Sequence, residues 1–400
     1  MSQADANVSL LVISSLYPNP AQERHGIFVE TRLRHLCEAK PVSARVIAPV
    51  PWVPPLLGGM ARYQQYVGIP AYEERHGIPV HHPRYLVIPY IGMLLTPFFM
   101  FLSLLMAVNR LKRENIEFDL IDAHYYYPDG VAVALLATIL KRTFTVTARG
   151  TDINLIPEVA LPKKMILWAA GRAAASITVC SALRDRMVEI GADGRKVHVM
   201  RNGVDLELFR PLEREQCRSE LLVSGNTLIS VGHLIDRKGH DLVIAALLDL
   251  PDYSLVIAGD GEELGTLQQL VAQHCLTERV RFLGAVTQPE LCRWLNAADA
   301  LVLASSREGW ANVLLESMAC GTPVVATSIW GTPEVVAAEE AGVLVETRTA
   351  SGISKGVQKL FADYPQHSKT RAYAELFSWD ATVNSLYSLF HSLTACKAQA

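Results

Sequence analysis

Short runs of consecutive apolar residues alternate along this chain with longer stretches of helical periodicity, most sharply in the second half. Leu228–Val231, Ser254–Ala258, Val280–Leu283, Ala300–Ala304, Val324–Ala326 and Val343–Val345 are mostly apolar, and Ala300–Ala304 is apolar on both faces. That is the pattern of parallel strands covered on both sides. Between them, helical spacing predicts helices near Lys238–Leu248, Leu264–Cys275, Pro289–Ala298, Asn312–Ala319 and Pro333–Ala338. The first half repeats the scheme less cleanly. Its strands are predicted at Val8–Ser14, Ala44–Ala48, Leu86–Ile88, Leu120–Ala123, Phe144–Ala148, Ser176–Cys180 and Val197–Met200, with helices at His25–Glu38, Val131–Leu140 and Lys163–Ala173. Alternation of this kind predicts an α/β chain of two doubly wound, Rossmann-like parallel sheets, with ligand at the carboxyl ends of the strands. The turn Arg201–Asp205 and the polar, proline-containing Leu206–Ser224 mark the boundary. The expected division is 1–205, 206–378 and a last helix in 379–400.

One stretch departs from the pattern. Leu86 to Val108 carries no charge, and Arg110, Lys112 and Arg113 follow at once. Its length permits a membrane span, but Pro89, Gly92 and Pro97 interrupt it. The apolar part after Pro97, Phe98–Val108, suits a core helix, or a helix that also touches a bilayer surface.

Composition narrows the class. The chain has 400 residues, enough for two domains, and half of them are hydrophobic. A formal net charge of −3 gives no electrostatic case for a nucleic acid partner. The seven cysteines are scattered, odd in number and never paired as Cys-x-x-Cys. They argue against a disulfide framework or a zinc site and for a reducing compartment. The amino-terminal residues lack a basic region before the apolar run and read as a first strand, not a signal peptide. The expected location is cytoplasmic, at the inner face of the membrane if the apolar segment touches lipid.

Ala300–Thr327 carries the chemistry. It reads as strand, short polar loop, helix capped by Asn312, glycine stop at Gly321 and second strand. A strand followed by a helix N-terminus is suited to anions, because free N–H groups and the helix dipole both favour negative charge. Glu308 and Glu316 stand beside it. Two carboxylates next to a phosphate site suit a ligand that also carries hydroxyls, and a nucleotide sugar fits. Upstream, Gly232-His233-Leu234-Ile235-Asp236-Arg237-Lys238-Gly239 follows a strand, with two adjacent cations placed for a pyrophosphate.

Glu308, seven residues, Glu316 and then Met318-Ala319-Cys320-Gly321-Thr322-Pro323-Val324-Val325-Ala326 resemble the signature of family 4 glycosyltransferases. The resemblance implies a GT-B fold with the active site in the cleft between two domains, a last helix (Trp379–Thr394) crossing back to the first, and retaining transfer without a metal. The chain has no Asp-x-Asp pair to hold one. By the same resemblance the donor meets Gly232, His233, Arg237, Lys238, Ala285, Glu308, Gly309, Trp310, Asn312, Val313, Leu314 and Glu316. Glu316 is implied to hold ribose hydroxyls, Glu308 the sugar, and Lys238 the diphosphate. His233 stands where the family usually has arginine, so Arg237 or a protonated His233 has to supply that charge. Asp260-Gly261 reads as a structural turn.

In the first domain His124 matches a family histidine that faces the transferred sugar, and with Glu308 and Lys238 it completes the expected catalytic set. Arg149 and Asp152 sit in a turn similar to His-Gly-x-Asp, with arginine for histidine. Arg149 is expected to touch donor or acceptor, and Asp152 to brace the loop. Gly26, at the first helix N-terminus, matches the glycine-rich acceptor loop, although the longer glycine run is absent. The implied function is a nucleotide-sugar-dependent glycosyltransferase using a saccharide or lipid-linked acceptor in cell-envelope or exopolysaccharide synthesis, with an anionic membrane surface as a further partner. The alternatives are a catalytically silent GT-B subunit of a membrane assembly and a GT-B sugar-nucleotide epimerase.

Overall fold

A computed structural model of the protein describes residues 7–54, 61–88 and 92–395. Pro89 and Cys396, both used in the sequence reading, lie outside the described residues. Contacts divide the chain into two compact units. One runs to Arg201 and resumes at Asp380; the other is Asn202–Trp379.

The first unit holds β1 (Val8–Ile13), β2 (Val42–Ile47), β3 (Val50–Trp52), β4 (Tyr72–Arg75), β5 (Ile78–His81), β6 (Arg84–Leu86), β7 (Leu120–His124), β8 (Phe144–Ala148), β9 (Ala175–Thr178) and β10 (Val197–Val199). Eight of these form one sheet in the order β10-β9-β8-β7-β1-β2-β5-β4. All neighbours are parallel except β4 and β5, an antiparallel hairpin at the edge. β3 and β6 pair separately. The sequence reading missed the hairpin and β3, and it placed the sixth strand two residues late. The hairpin turns on His76 and Gly77, both at positive φ, a pairing weaker as a sequence signal than Asn-Gly.

The last helix, Trp379–Ala395, belongs to this unit after its first residue. Val383, Leu386 and Phe390 bury one stripe of it, and Thr382 Oγ1 donates to the Arg201 carbonyl at 2.5 Å.

The uncharged segment forms a helix from Gly92 to Arg113, longer than predicted, with Pro97 inside it. Proline lacks the N–H that would bond the carbonyl four residues back. Here that carbonyl is Met93 O, and the Tyr127 hydroxyl donates to it instead. Met100, Leu104, Val108 and Leu111 bury one face, while Phe98, Leu102 and Met106 are 44%, 50% and 67% exposed. The helix is therefore half core and half apolar surface.

The second unit contains β11 (Asn226–Val231), β12 (Tyr253–Ala258), β13 (Val280–Gly284), β14 (Ala300–Leu303), β15 (Val324–Thr327) and β16 (Gly342–Val345). All pairs are parallel, in the order β13-β12-β11-β14-β15-β16. Leu228, Ile257, Val302 and Val325 from the strands meet Val243, Leu267 and Val357 from the helices in one core. The order reverses between β11 and β14, and a crevice opens at such a switch point beyond the carboxyl ends of the strands. In the first unit the corresponding neighbours are β1 and β7.

Candidate active site

In the second unit the loops after β11 and β14 meet at the switch point. The β11 loop runs through Gly232 to a 3₁₀ turn at Asp236–Lys238 and ends at Gly239, with φ of 69°. A Cβ on Gly239 would lie 2.3 Å from the Ala304 carbonyl oxygen, so only glycine lets this turn close onto the end of β14. The close approach delivers Lys238 to the second loop.

Lys238 Nζ donates to Glu308 Oε1 at 2.5 Å, and the buried Ser305 hydroxyl donates to the same oxygen at 2.7 Å. The lysine stem passes over Gly232, where a Cβ would meet its Cε at 3.3 Å. Arg237 is placed differently from the sequence expectation. Its Nη1 donates to the Arg307 carbonyl at 3.0 Å, and its own carbonyl accepts from Ser306 N at 2.8 Å. Arg237 thus clamps the loop that presents Glu308.

The helix Asn312–Ala319 follows. Asn312 is not its cap: Ala311 holds that position without a side-chain bond, and Asn312 Oδ1 accepts from Asn202 Nδ2 at 3.2 Å. The N–H groups of the first turn therefore lack the side-chain acceptor that a cap provides. Leu314 is fully buried, so its side chain packs in the core. The ring of Trp310 is also buried, 6.1 Å from that of Phe377. Glu316, one turn along, has no hydrogen-bond or ion-pair partner among the described residues, and burial pushes its carboxyl up to about 7. A half-buried carboxylate without a donor is costly unless something supplies one.

His233 is exposed and its Nδ1 lies 3.2 Å from the Asp260 carbonyl. Asp260 Oδ1 accepts from Gly261 N, as a structural turn requires. Gly309 and Val313 are half-buried and Ala285 is exposed on the loop after β13.

The first unit places its polar residues at its own switch point. His124, at the carboxyl end of β7, is 1% exposed. Its Nε2 lies 3.1 Å from Asp122 Oδ2, and Arg149 Nη2 lies 2.5 Å from its Nδ1. Arg32 Nη2 reaches Asp122 Oδ2 at 2.7 Å, and Arg32 Nη1 donates to Thr147 Oγ1 at 3.1 Å. Arg32 Nη2 also lies 2.9 Å from His124 Nε2, so that nitrogen faces both a carboxylate and a guanidinium. Burial first, then the Arg32 charge, lowers the His124 pKa to about 3. Burial opposes the Asp122 charge, but Arg32 and His124 hold its carboxyl well below the usual range. Both ring nitrogens of His124 are engaged within the protein.

Asp152 accepts from the backbone of Tyr126, Arg149 and Gly150 at 2.8, 3.0 and 2.8 Å, which makes it a loop brace. Gly26, at φ 69°, starts the helix Ile27–Ala39, and a Cβ there would lie 2.2 Å from the Leu16 carbonyl oxygen. Its requirement is therefore steric. Among the described residues no group of three His, Cys, Asp or Glu side chains is placed to hold a metal.

Two family models match the chain in succession: Glycosyltransferase Family 4 over residues 59–208 and Glycosyl transferases group 1 over residues 213–377. The chain belongs to the family 4 glycosyltransferases. This family 4 enzyme is 27% identical over 359 residues to TuaC of Bacillus subtilis (strain 168), named for teichuronic acid biosynthesis, covering 88% of this chain and 89% of the relative. It is 32% identical over 264 residues to D-inositol 3-phosphate glycosyltransferase 1 of Catenulispora acidiphila, covering 61% of this chain and 62% of that one. Other inositol 3-phosphate glycosyltransferases are matched over about half their length. Among solved structures, sucrose-phosphate synthase from Thermosynechococcus elongatus superposes with a TM-score of 0.82 at 20% identity, over 97% of this chain and 100% of that one. Anabaena HepE in complex with UDP-glucose gives 0.72 at 20% identity, over 96% and 99%. The fold is GT-B.

Sequence reasoning missed Arg32 in this glycosyltransferase. Val29, Leu33 and Leu36 form the buried stripe of its helix, and Arg32 falls on that stripe. An arginine on an apolar face was the available signal.

Proposed function

We propose that this glycosyltransferase transfers a sugar from a nucleotide-sugar donor to a saccharide or lipid-linked acceptor in cell-envelope or exopolysaccharide synthesis, with retention at the anomeric carbon. One observation carries the reading. At the β11/β14 switch point an ammonium, a carboxylate and an uncapped helix N-terminus converge, with the unpartnered Glu316 one turn away.

The diphosphate lies against Lys238 and the first N–H groups of the helix Asn312–Ala319, and the ribose hydroxyls donate to Glu316. Donor-sugar hydroxyls donate to Glu308. As the bond from the anomeric carbon to the phosphate oxygen breaks, negative charge grows on that oxygen. Preorganised donors stabilise this charge, usually the largest single contribution to such a step. The acceptor oxygen bonds the anomeric carbon from the same face, and its proton passes to the departing phosphate. No metal is proposed.

TuaC, named for an envelope polymer, supports the process, and HepE bound to UDP-glucose supports the donor class. The exposed row Phe98, Leu102 and Met106, ending at Arg110, Lys112 and Arg113, supports peripheral contact with an anionic bilayer from the cytoplasmic side. A thermal-shift panel of nucleotide sugars, followed by hydrolysis assays on those that stabilise the protein, tests the donor class. A panel with no hit would refute it.

A further inference from the structure

We propose that Glu308 is the counter-ion of Lys238 and thereby weakens the site's grip on the sugar-free nucleoside diphosphate. The inference rests on the nucleotide-sugar reading above and assigns the same site a preference between substrate and product.

The geometry fixes the pair. Oε1 of Glu308 accepts from both Lys238 Nζ and Ser305 Oγ. Ser305 is fully buried, and its carbonyl accepts from Thr327 Oγ1 at 2.6 Å, so the anchor of the carboxylate belongs to the strand layer. Glu308 cannot swing away without abandoning that hydroxyl. Both charged side chains are largely withdrawn from solvent, at 15% and 10% exposure. Coulomb interactions there are much stronger than in water. Nη1 of Arg237 is held by the Arg307 carbonyl, and Lys238 is the ammonium this loop offers a phosphate. It arrives already neutralised.

A free nucleoside diphosphate therefore meets an ammonium whose charge is offset, with a fixed carboxylate beside it. That carboxylate and the terminal phosphate then compete for one ammonium. A donor carries the sugar in the same place, and its hydroxyls donate to the remaining lone pairs of Glu308. The carboxylate thus rewards the donor and penalises the product, which speeds release after transfer.

Isothermal titration of uridine, adenosine and guanosine diphosphates into the wild type, Glu308→Gln, Lys238→Met and the double variant tests this. Glutamine keeps an oxygen for Ser305 and removes the charge. For the diphosphate that binds wild type, Glu308→Gln is expected to bind about tenfold more tightly. The gain should vanish in the Lys238→Met background, and the matching nucleotide sugar should gain less or lose affinity. Unchanged or weaker diphosphate binding by a Glu308→Gln protein with wild-type melting behaviour would overturn the inference. Failure of the wild type to bind any nucleoside diphosphate is a different result; it would remove the nucleotide-sugar reading itself and this inference with it.

Discussion

Nη2 of Arg149 lies 2.5 Å from Nδ1 of His124, whose Nε2 faces both Asp122 and Arg32. The imidazole is thus held neutral beside two guanidiniums. Its pKa is lowered from 6.5 to about 3 by burial and by Arg32. A group with a lowered folded pKa that must stay neutral takes up its proton more readily in the unfolded chain. Stability should therefore fall as pH drops from about 6.5 toward 3. Melting curves at pH 7.5, 6 and 5 should show this loss, and His124→Gln should shallow it between pH 7.5 and 5. An identical pH dependence in the variant would mean that other groups dominate.

Glu316 shifts the opposite way with pH. Burial raises its carboxyl from 4.5 to about 7. The folded state then holds a proton that the unfolded state has released, so stability falls as pH rises from about 4.5 to 7, and the full penalty stands above 7. Glu316→Gln should raise Tm at pH 8 by several degrees, taking about 2–4 °C per kcal/mol for a unit of this size, and change it little at pH 5. The same substitution should cut turnover. A lower Tm at pH 8 would show that the carboxylate has a partner the account omits.

The second unit was the more legible one. Its strands are mostly apolar runs, and the pair Glu308 and Glu316 marked a polar loop and helix start at the end of one of them. The helices Arg214–Leu221, Ala350–Ala362 and His367–Glu375 of the second unit went unread, and the first unit hid more of its strands. Tyr72–Arg75 and Ile78–His81 form an edge hairpin with mixed polarity, so neither strand stands out as a run. The helix Ser181–Ile190 was missed although Leu183, Met187 and Ile190 give it a buried stripe and Gly191 ends it. Pro97 read as a helix breaker because the compensating hydroxyl of Tyr127 is thirty residues away in sequence. The clamp by Arg237 and the enclosure of His124 depend on long-range contacts that spacing does not encode.

Three substitutions separate the cations of the β11 loop. Lys238→Ala removes the ammonium and should lower kcat/KM about a hundredfold, the scale of a lost charge-assisted contact of ~1.5–3 kcal/mol. Arg237→Ala should act through the loop it clamps, raising the donor KM about tenfold with a smaller effect on kcat. His233 is exposed, so His233→Arg should be tolerated or beneficial. Steady-state kinetics with one donor distinguishes them. A silent Arg237→Ala combined with an inactive His233→Arg would reverse these assignments.

Membrane contact should depend on one helix face. Replacing Phe98, Leu102 and Met106 together with serine removes exposed apolar surface and leaves the buried Met100, Leu104 and Val108 in place. Flotation with anionic vesicles at low salt should recover the wild type and lose the triple variant, at similar Tm. Equal recovery of both, or of neither, would return this face to ordinary surface.

The most direct measurement follows a single nucleotide sugar, chosen by thermal shift, by proton NMR in the presence of the enzyme. The account predicts release of the nucleoside diphosphate, a first-formed sugar product that keeps the donor's anomeric configuration, and about a hundredfold slower release with Lys238→Ala. A first product of inverted configuration, or a folded wild type that turns over no nucleotide sugar while Lys238→Ala behaves identically, would contradict it.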